Sequence, residues 1–181
     1  MRRIQPIAWP FPERFAADMA KTMPPGAEPL RLFTTIATSD RAWAKFAAGG
    51  LLDRGPLTLR QREIVIDRTT ARCGCAYEWG VHVAAFAAKA KLTAVEIAAI
   101  VHGHADDGNW NDSEAALIAT VDALLDRKAL TDAEHGRLAA HFDAGKQLEI
   151  VQLVAYYHGV ALMVGAFAIP NEPGAPAFPP G

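Results

Sequence analysis

An all-α fold, a compact helical bundle, is what this sequence predicts, and three observations carry that reading. Alanine, which costs least in a helix, is concentrated over residues 42–48 and 84–90. Capping signals recur ahead of apolar periodic runs, at Thr58 with Gln61, Thr93 with Glu96 and Thr131 with Glu134, where the threonine oxygen accepts from a free backbone N–H. No stretch shows sustained period-two alternation between hairpin turns, so no strand is expected.

The elements follow in order. Residues 1–29 carry Pro6, Pro10, Pro12, Pro24, Pro25 and Pro29; proline breaks helix interiors, so this is an arm with one short helix near residues 13–21. Trp9, Phe11 and Phe15 are candidates to pin it to the body. A helix over residues 30–38 comes next, then one over 41–48, capped by Ser39 or Asp40 and closed by Gly49-Gly50. Thr58 opens a helix that ends near Arg72, where Gly74 breaks it. The following helix starts at Cys75 or Ala76 and runs to about Ala90. Further helices begin at Thr93, at Asn111 or Asp112 (including residues 115–125) and at Thr131. Seven to nine helices result, joined by short turns. The apolar run 150–170 nears the ~20 residues a membrane span needs. It contains Gln152, Tyr156, Tyr157, His158, Gly159 and Gly165, so a buried helix or a subunit interface is expected. Residues 171–181 form a Pro-rich coil tail. The organisation is thus an arm (1–29), one helical domain (30–170) and a tail (171–181).

The chain has 181 residues, 51% hydrophobic and 21% charged, with a formal net charge of −2, which fits one globular domain. Arg2-Arg3 is the longest basic cluster, so neither a nucleic-acid footprint nor a polybasic membrane patch is expected. The first residues lack the apolar core of a secretory signal. A cytoplasmic setting is expected, with the two cysteines as thiols. Neither G-x-G-x-x-G nor G-x-x-x-x-G-K occurs, and no nucleotide or other cofactor is expected. Cys73-Gly74-Cys75 has no second pair at metal-ligand spacing, so no metal is expected either.

The residues able to carry chemistry cluster between Glu63 and His82. Residues three and four apart share a helix face, which places Cys75, Glu78 and His82 on one stripe, with Glu78 and His82 close enough to touch. Cys75 and His82 are two turns apart, roughly 10 Å at about 1.5 Å per residue, so water or Glu78 must bridge them. At a helix start, free N–H groups and the dipole favour a thiolate at Cys75. Glu63, on the preceding helix, returns over the stripe if the two helices form a tight hairpin. Tyr77, Trp79 and His158 are candidate pocket residues, although aromatics at such positions are more often packing residues.

The pattern Glu63, eleven residues, Cys75, two residues, Glu78, three residues, His82 resembles the carboxymuconolactone decarboxylase-like family, which includes the AhpD-type alkylhydroperoxidases. Tyr77-Glu78-Trp79-Gly80-Val81-His82 is similar to the Y-E-W-x-x-H form of one branch, and likeness extends from about Leu30 to Pro170. The resemblance implies an AhpD-like all-α fold and a homo-oligomer, a trimer or hexamer. In the peroxidase members it also implies cysteines at the positions of Cys75 and Glu78. Position 78 is Glu here, so the cysteine nearest the histidine is missing.

Three functions follow. The first is a thiol-dependent oxidoreductase of antioxidant type reducing hydroperoxides. Cys75 would be activated by His82 and Glu63, then resolved by Cys73 or an external thiol reductant. The second is acid–base decarboxylation or lactone processing by Glu63, Glu78 and His82, with a small organic acid or lactone as substrate. Arg68 and Arg72 are the candidates for holding such an anion. The third is a non-catalytic helical oligomer.

Overall fold

A computed structural model describes residues 3–181; the first two residues of the arm lie outside it. Among the described residues there are nine helices and no strand. In order they are α1 (Glu13–Thr22), α2 (Arg31–Ile36), α3 (Asp40–Ala47), α4 (Leu59–Arg72), α5 (Ala76–Phe86), α6 (Ala94–His102), α7 (Asp112–Arg127), α8 (Asp132–Ala139) and α9 (Ala144–Phe167).

The local signals act where they stand. Thr58, Thr93 and Thr131 each close a full capping box with Gln61, Glu96 and Glu134. Asn111, rather than Asp112, caps α7 and forms a fourth box with Glu114. Ser39 caps α3. Asp143 caps α9, which therefore starts ahead of the apolar run that announced it. The helix expected to reach about Ala90 holds regular geometry only to Phe86. Residues 87–91 continue as turns, and Lys91, at φ +56°, reverses the chain. Leu92 N–H then donates to the Ala87 carbonyl (3.0 Å), a Schellman-type closure.

Helix α4 is the axis of the molecule. Every residue from Glu63 to Thr70 is buried, so its surroundings are protein on all sides. It packs against α5, α6, α7 and α9. Ile64, Val65 and Ile66 meet Ile100, Leu117, Val121, Ile150, Leu153 and Val160 in one core. The buried Arg68 guanidinium donates twice to Asp122 (2.8 and 2.7 Å) and once to the Ile100 carbonyl (2.8 Å). Arg72 pairs with Asp126 and Asp122. Both arginines are thereby paired across the α4–α7 seam.

One face of α9 lies in the core through Ile150, Leu153, Val154, Tyr157, Val160 and Val164. The opposite face leaves Leu148, Val151 and Leu162 exposed. By length and composition this helix could cross a membrane, with a mean hydropathy of 1.6.

The two Pro-rich ends are both docked. In the arm, Phe15 is buried and meets Trp43, with Phe11 beside it. Trp9, expected as a pin, touches Phe11 edge-on but stays 81% exposed. The tail is coil as expected, yet it is tied down along its length. Glu172 accepts from the Tyr77 hydroxyl and from the Arg31 N–H. Phe178 packs on Trp79 (5.1 Å between centroids), and His102 meets the Pro179 carbonyl at 2.7 Å. Gly80 allows the tail to lie flat on α5, since a Cβ there would come 2.5 Å from the Pro176 carbonyl oxygen.

Candidate functional site

The site is the hairpin of α4 and α5. Gly74, at φ +64°, turns the chain, a left-handed conformation that glycine adopts without penalty. Cys75 N–H donates back to the Thr70 carbonyl (2.9 Å). This tight reversal brings Glu63 back over α5.

Five residues converge there. His82 Nδ1 lies 2.8 Å from Glu63 Oε2, and its Nε2 lies 3.5 Å from Glu78 Oε1. Arg62 pairs with the other Glu63 oxygen at 3.0 Å. Asp67, one turn along α4 from Glu63, completes the group. One ligand-type atom each from Glu63, Asp67 and His82 lies within 4.8 Å of the others. All three are buried. Tyr157 packs edge-on against the imidazole (5.0 Å).

The electrostatics follow from burial and charge together. For His82, burial is the largest single effect and opposes the imidazolium. The Glu63 and Glu78 carboxylates outweigh it and lift the pKa to about 10. Nδ1–H therefore donates to Glu63 near neutral pH. Asp67 is pushed well above the carboxylate range by burial; the His82 charge opposes the rise, and the Glu63 and Glu78 carboxylates add to it.

A cavity of about 400 Å³ opens beside this cluster. Its walls include Phe33, Trp43, Phe46, Leu51, Tyr156 and Tyr157, and its polar edge includes Glu78 and Asp53. Of the motif residues Glu63, Cys75, Glu78 and His82, Glu78 is the one in the wall; Glu63 and His82 stand behind it. None of the three expected pocket residues lines this cavity. Tyr77 and Trp79 face the tail, and His158 lies partly exposed on α9.

Cys75 sits apart. It is the N-cap residue of α5 and is buried. It has no hydrogen bond or ion pair to His82 among the described residues. The expectation that the helix start would favour its thiolate does not hold. Burial raises the thiol to about 11 against the opposing pull of the Glu78 N–H. Cys73, half-buried, is likewise raised by burial.

Sequence reasoning missed Asp67, Trp43, Tyr156 and Tyr157. Asp67 carried a readable signal, since it shares a face of α4 with Glu63 at i and i+4. The pocket aromatics come from helices far along the chain and carried none.

The carboxymuconolactone decarboxylase family profile matches residues 37–122, which include the whole hairpin. No curated protein matches the sequence significantly. Among solved structures, the chain is similar to an uncharacterised peroxidase-related protein from Ralstonia eutropha JMP134, described as an alkylhydroperoxidase AhpD core. That match has a TM-score of 0.80 at 16% identity and covers 96% of this chain and 95% of the other. A peroxidase-related protein from Silicibacter sp. TM1040 matches with a TM-score of 0.77 at 16% identity, covering 97% of each chain. The debrominase Bmp8 matches with a TM-score of 0.73 at 16% identity, covering 94% of this chain and 92% of its own. The fold is thus AhpD-like, and it is shared by peroxidase-related proteins and a debrominase. Over residues 37–122, which carry the hairpin, the chain is similar to the carboxymuconolactone decarboxylase family, and its fold is AhpD-like.

Proposed function

We propose that this chain is an acid–base enzyme that moves protons on a small ring compound held in the aromatic pocket. The observation that carries this reading is that Glu78 both lines the cavity and pairs with His82. Glu78 is the group that faces the substrate and accepts a proton from carbon next to a carbonyl. The His82 imidazolium stabilises the carboxylate and returns the proton. Glu63, held by Arg62, fixes the ring through Nδ1. Such positioned proton transfer contributes about 100-fold or more to rate.

The charge of the pocket supports a substrate class. Its walls present two carboxylates, Glu78 and Asp53, among aromatic and aliphatic side chains, and no lysine or arginine. That favours an uncharged or cationic ring over a multiply charged acid. The proposed setting is a cytoplasmic homo-oligomer without nucleic-acid or membrane partners.

A thiol-peroxidase reading draws support from the AhpD name of a structural relative and from the adjacent Cys73 and Cys75. One experiment separates the two. The protein is incubated in D2O with uncharged cyclic ketones and lactones, and separately with an organic hydroperoxide plus dithiothreitol. Acid–base chemistry predicts deuterium at the carbon next to the carbonyl. The Glu78→Gln change should lower the exchange about 100-fold or more, and Cys75→Ser should leave it intact. Peroxide turnover that depends on Cys75, with no exchange on any ring compound, would reverse the choice.

A further inference from the structure

Both carboxylate oxygens of Asp67 are buried without a hydrogen-bond partner among the described residues. Water does not reach them and no N–H answers them, an arrangement a buried carboxyl sustains by keeping its proton or by binding a metal. Asp67 points into the same small volume as Glu63 and the His82 ring, one ligand-type atom from each lying within 4.8 Å of the others.

We infer that Glu63, Asp67 and His82 bind a divalent first-row transition cation of the zinc or manganese kind. The donor set is one imidazole nitrogen and carboxylate oxygens, with no thiolate in the cluster. Such borderline-to-hard donors suit zinc, manganese or iron rather than copper(I) or an iron–sulfur cluster. Charge fits as well. The carboxylates of Glu63, Asp67 and Glu78 share this interior with Arg62. Binding releases the protons of Asp67 and of the imidazolium, after which a dication together with that guanidinium balances the three carboxylates and the imidazole serves as a neutral ligand.

The surroundings of His82 match a metal ligand in a second respect. Its Nδ1 faces the cluster and its Nε2 faces Glu78. A metal-bound histidine usually donates its other ring N–H to a carboxylate, which fixes its orientation. Bonds of about 2.1 Å put tetrahedral donors about 3.4 Å apart. Donors now within 4.8 Å of one another therefore need to close by at most about 1.4 Å, within reach of carboxylate side-chain torsions. Access runs through the aromatic pocket, because Glu78 and Tyr157 line it and both touch His82. A cation on Nδ1 replaces the proton donated to Glu63 and leaves Nε2–H for Glu78, so the metal-loaded ring is a neutral ligand and the imidazolium of the proposed proton transfer belongs to the metal-free protein.

The test uses the full chain without a purification tag. It is stripped with EDTA, equilibrated with zinc sulfate, desalted and analysed for bound metal; a parallel titration with manganese is followed by electron paramagnetic resonance. The expected result is about one zinc per chain, a raised melting temperature with zinc, and loss of the free-manganese signal. Asp67→Asn should lower retained zinc at least tenfold while its circular dichroism stays helical. If that variant does not fold, Glu63→Gln takes its place. The double change Cys73→Ser and Cys75→Ser should retain the metal. Wild-type protein holding no zinc above background would overturn the inference. So would equal zinc in the folded Asp67→Asn or Glu63→Gln protein, or zinc lost with the two cysteines.

Discussion

At the scale of single residues, Cys75 shows two physical effects in opposition. As the N-cap of α5 it meets free N–H groups, which favour sulfur's charged form. It is also 5% exposed, and the loss of solvent wins, raising the thiol to about 11. The sign sets the expected titration. Alkylation of Cys75 should be slow at pH 8 and still rise above pH 10, since thiolate forms only as pH nears the raised pKa. Cys73, the more exposed, should react first. Mass spectrometry of each cysteine against pH checks this; a Cys75 rate that levels off below pH 8.5 would contradict it and revive the thiol reading. His82 moves the opposite way for the opposite reason. It too is buried, but two carboxylates reach it.

At the scale of elements, α4 carries the most. It holds Glu63 and Asp67 and forms the centre of the core. Its start depends on Thr58, whose hydroxyl accepts from the Gln61 N–H. Thr58→Ala should therefore lower stability by about 1 kcal/mol, read as a lower urea midpoint with unchanged slope. A midpoint equal to wild type would mean that packing alone starts the helix. This cap was legible in the sequence because partner and acceptor are three residues apart. The same holds for Thr93 and Thr131, and for the Glu78–His82 stripe. The contact between Glu63 and His82 was legible only as a conditional, since it needed the Gly74 turn to close. The pocket was not legible. Phe33, Trp43 and Tyr156 come from α2, α3 and α9, and no local spacing announces that they meet. Tyr77 and Trp79 were misplaced for a related reason. They face a tail 95 and 99 residues further on, at Glu172 and Phe178, and composition alone marked that tail only as coil.

At the scale of the whole molecule, the outer face of α9 is the largest unfinished feature. Leu148, Val151 and Leu162 are 67%, 42% and 63% exposed on a helix whose other side is core. We propose this apolar stripe as the association surface of the homo-oligomer proposed above. Leu162→Glu should then shift the mass in solution to the monomer, by light scattering, with helical content unchanged. A wild-type monomer would sink the idea. Elsewhere, Arg31 opens the helical domain and Glu172 follows its last helix, and the two are in contact through backbone and side chain. The domain is therefore closed on itself like a ring with a clasp. Its first and last helices have no obligatory order, so the same bundle is compatible with a chain joined at the clasp and opened at another loop.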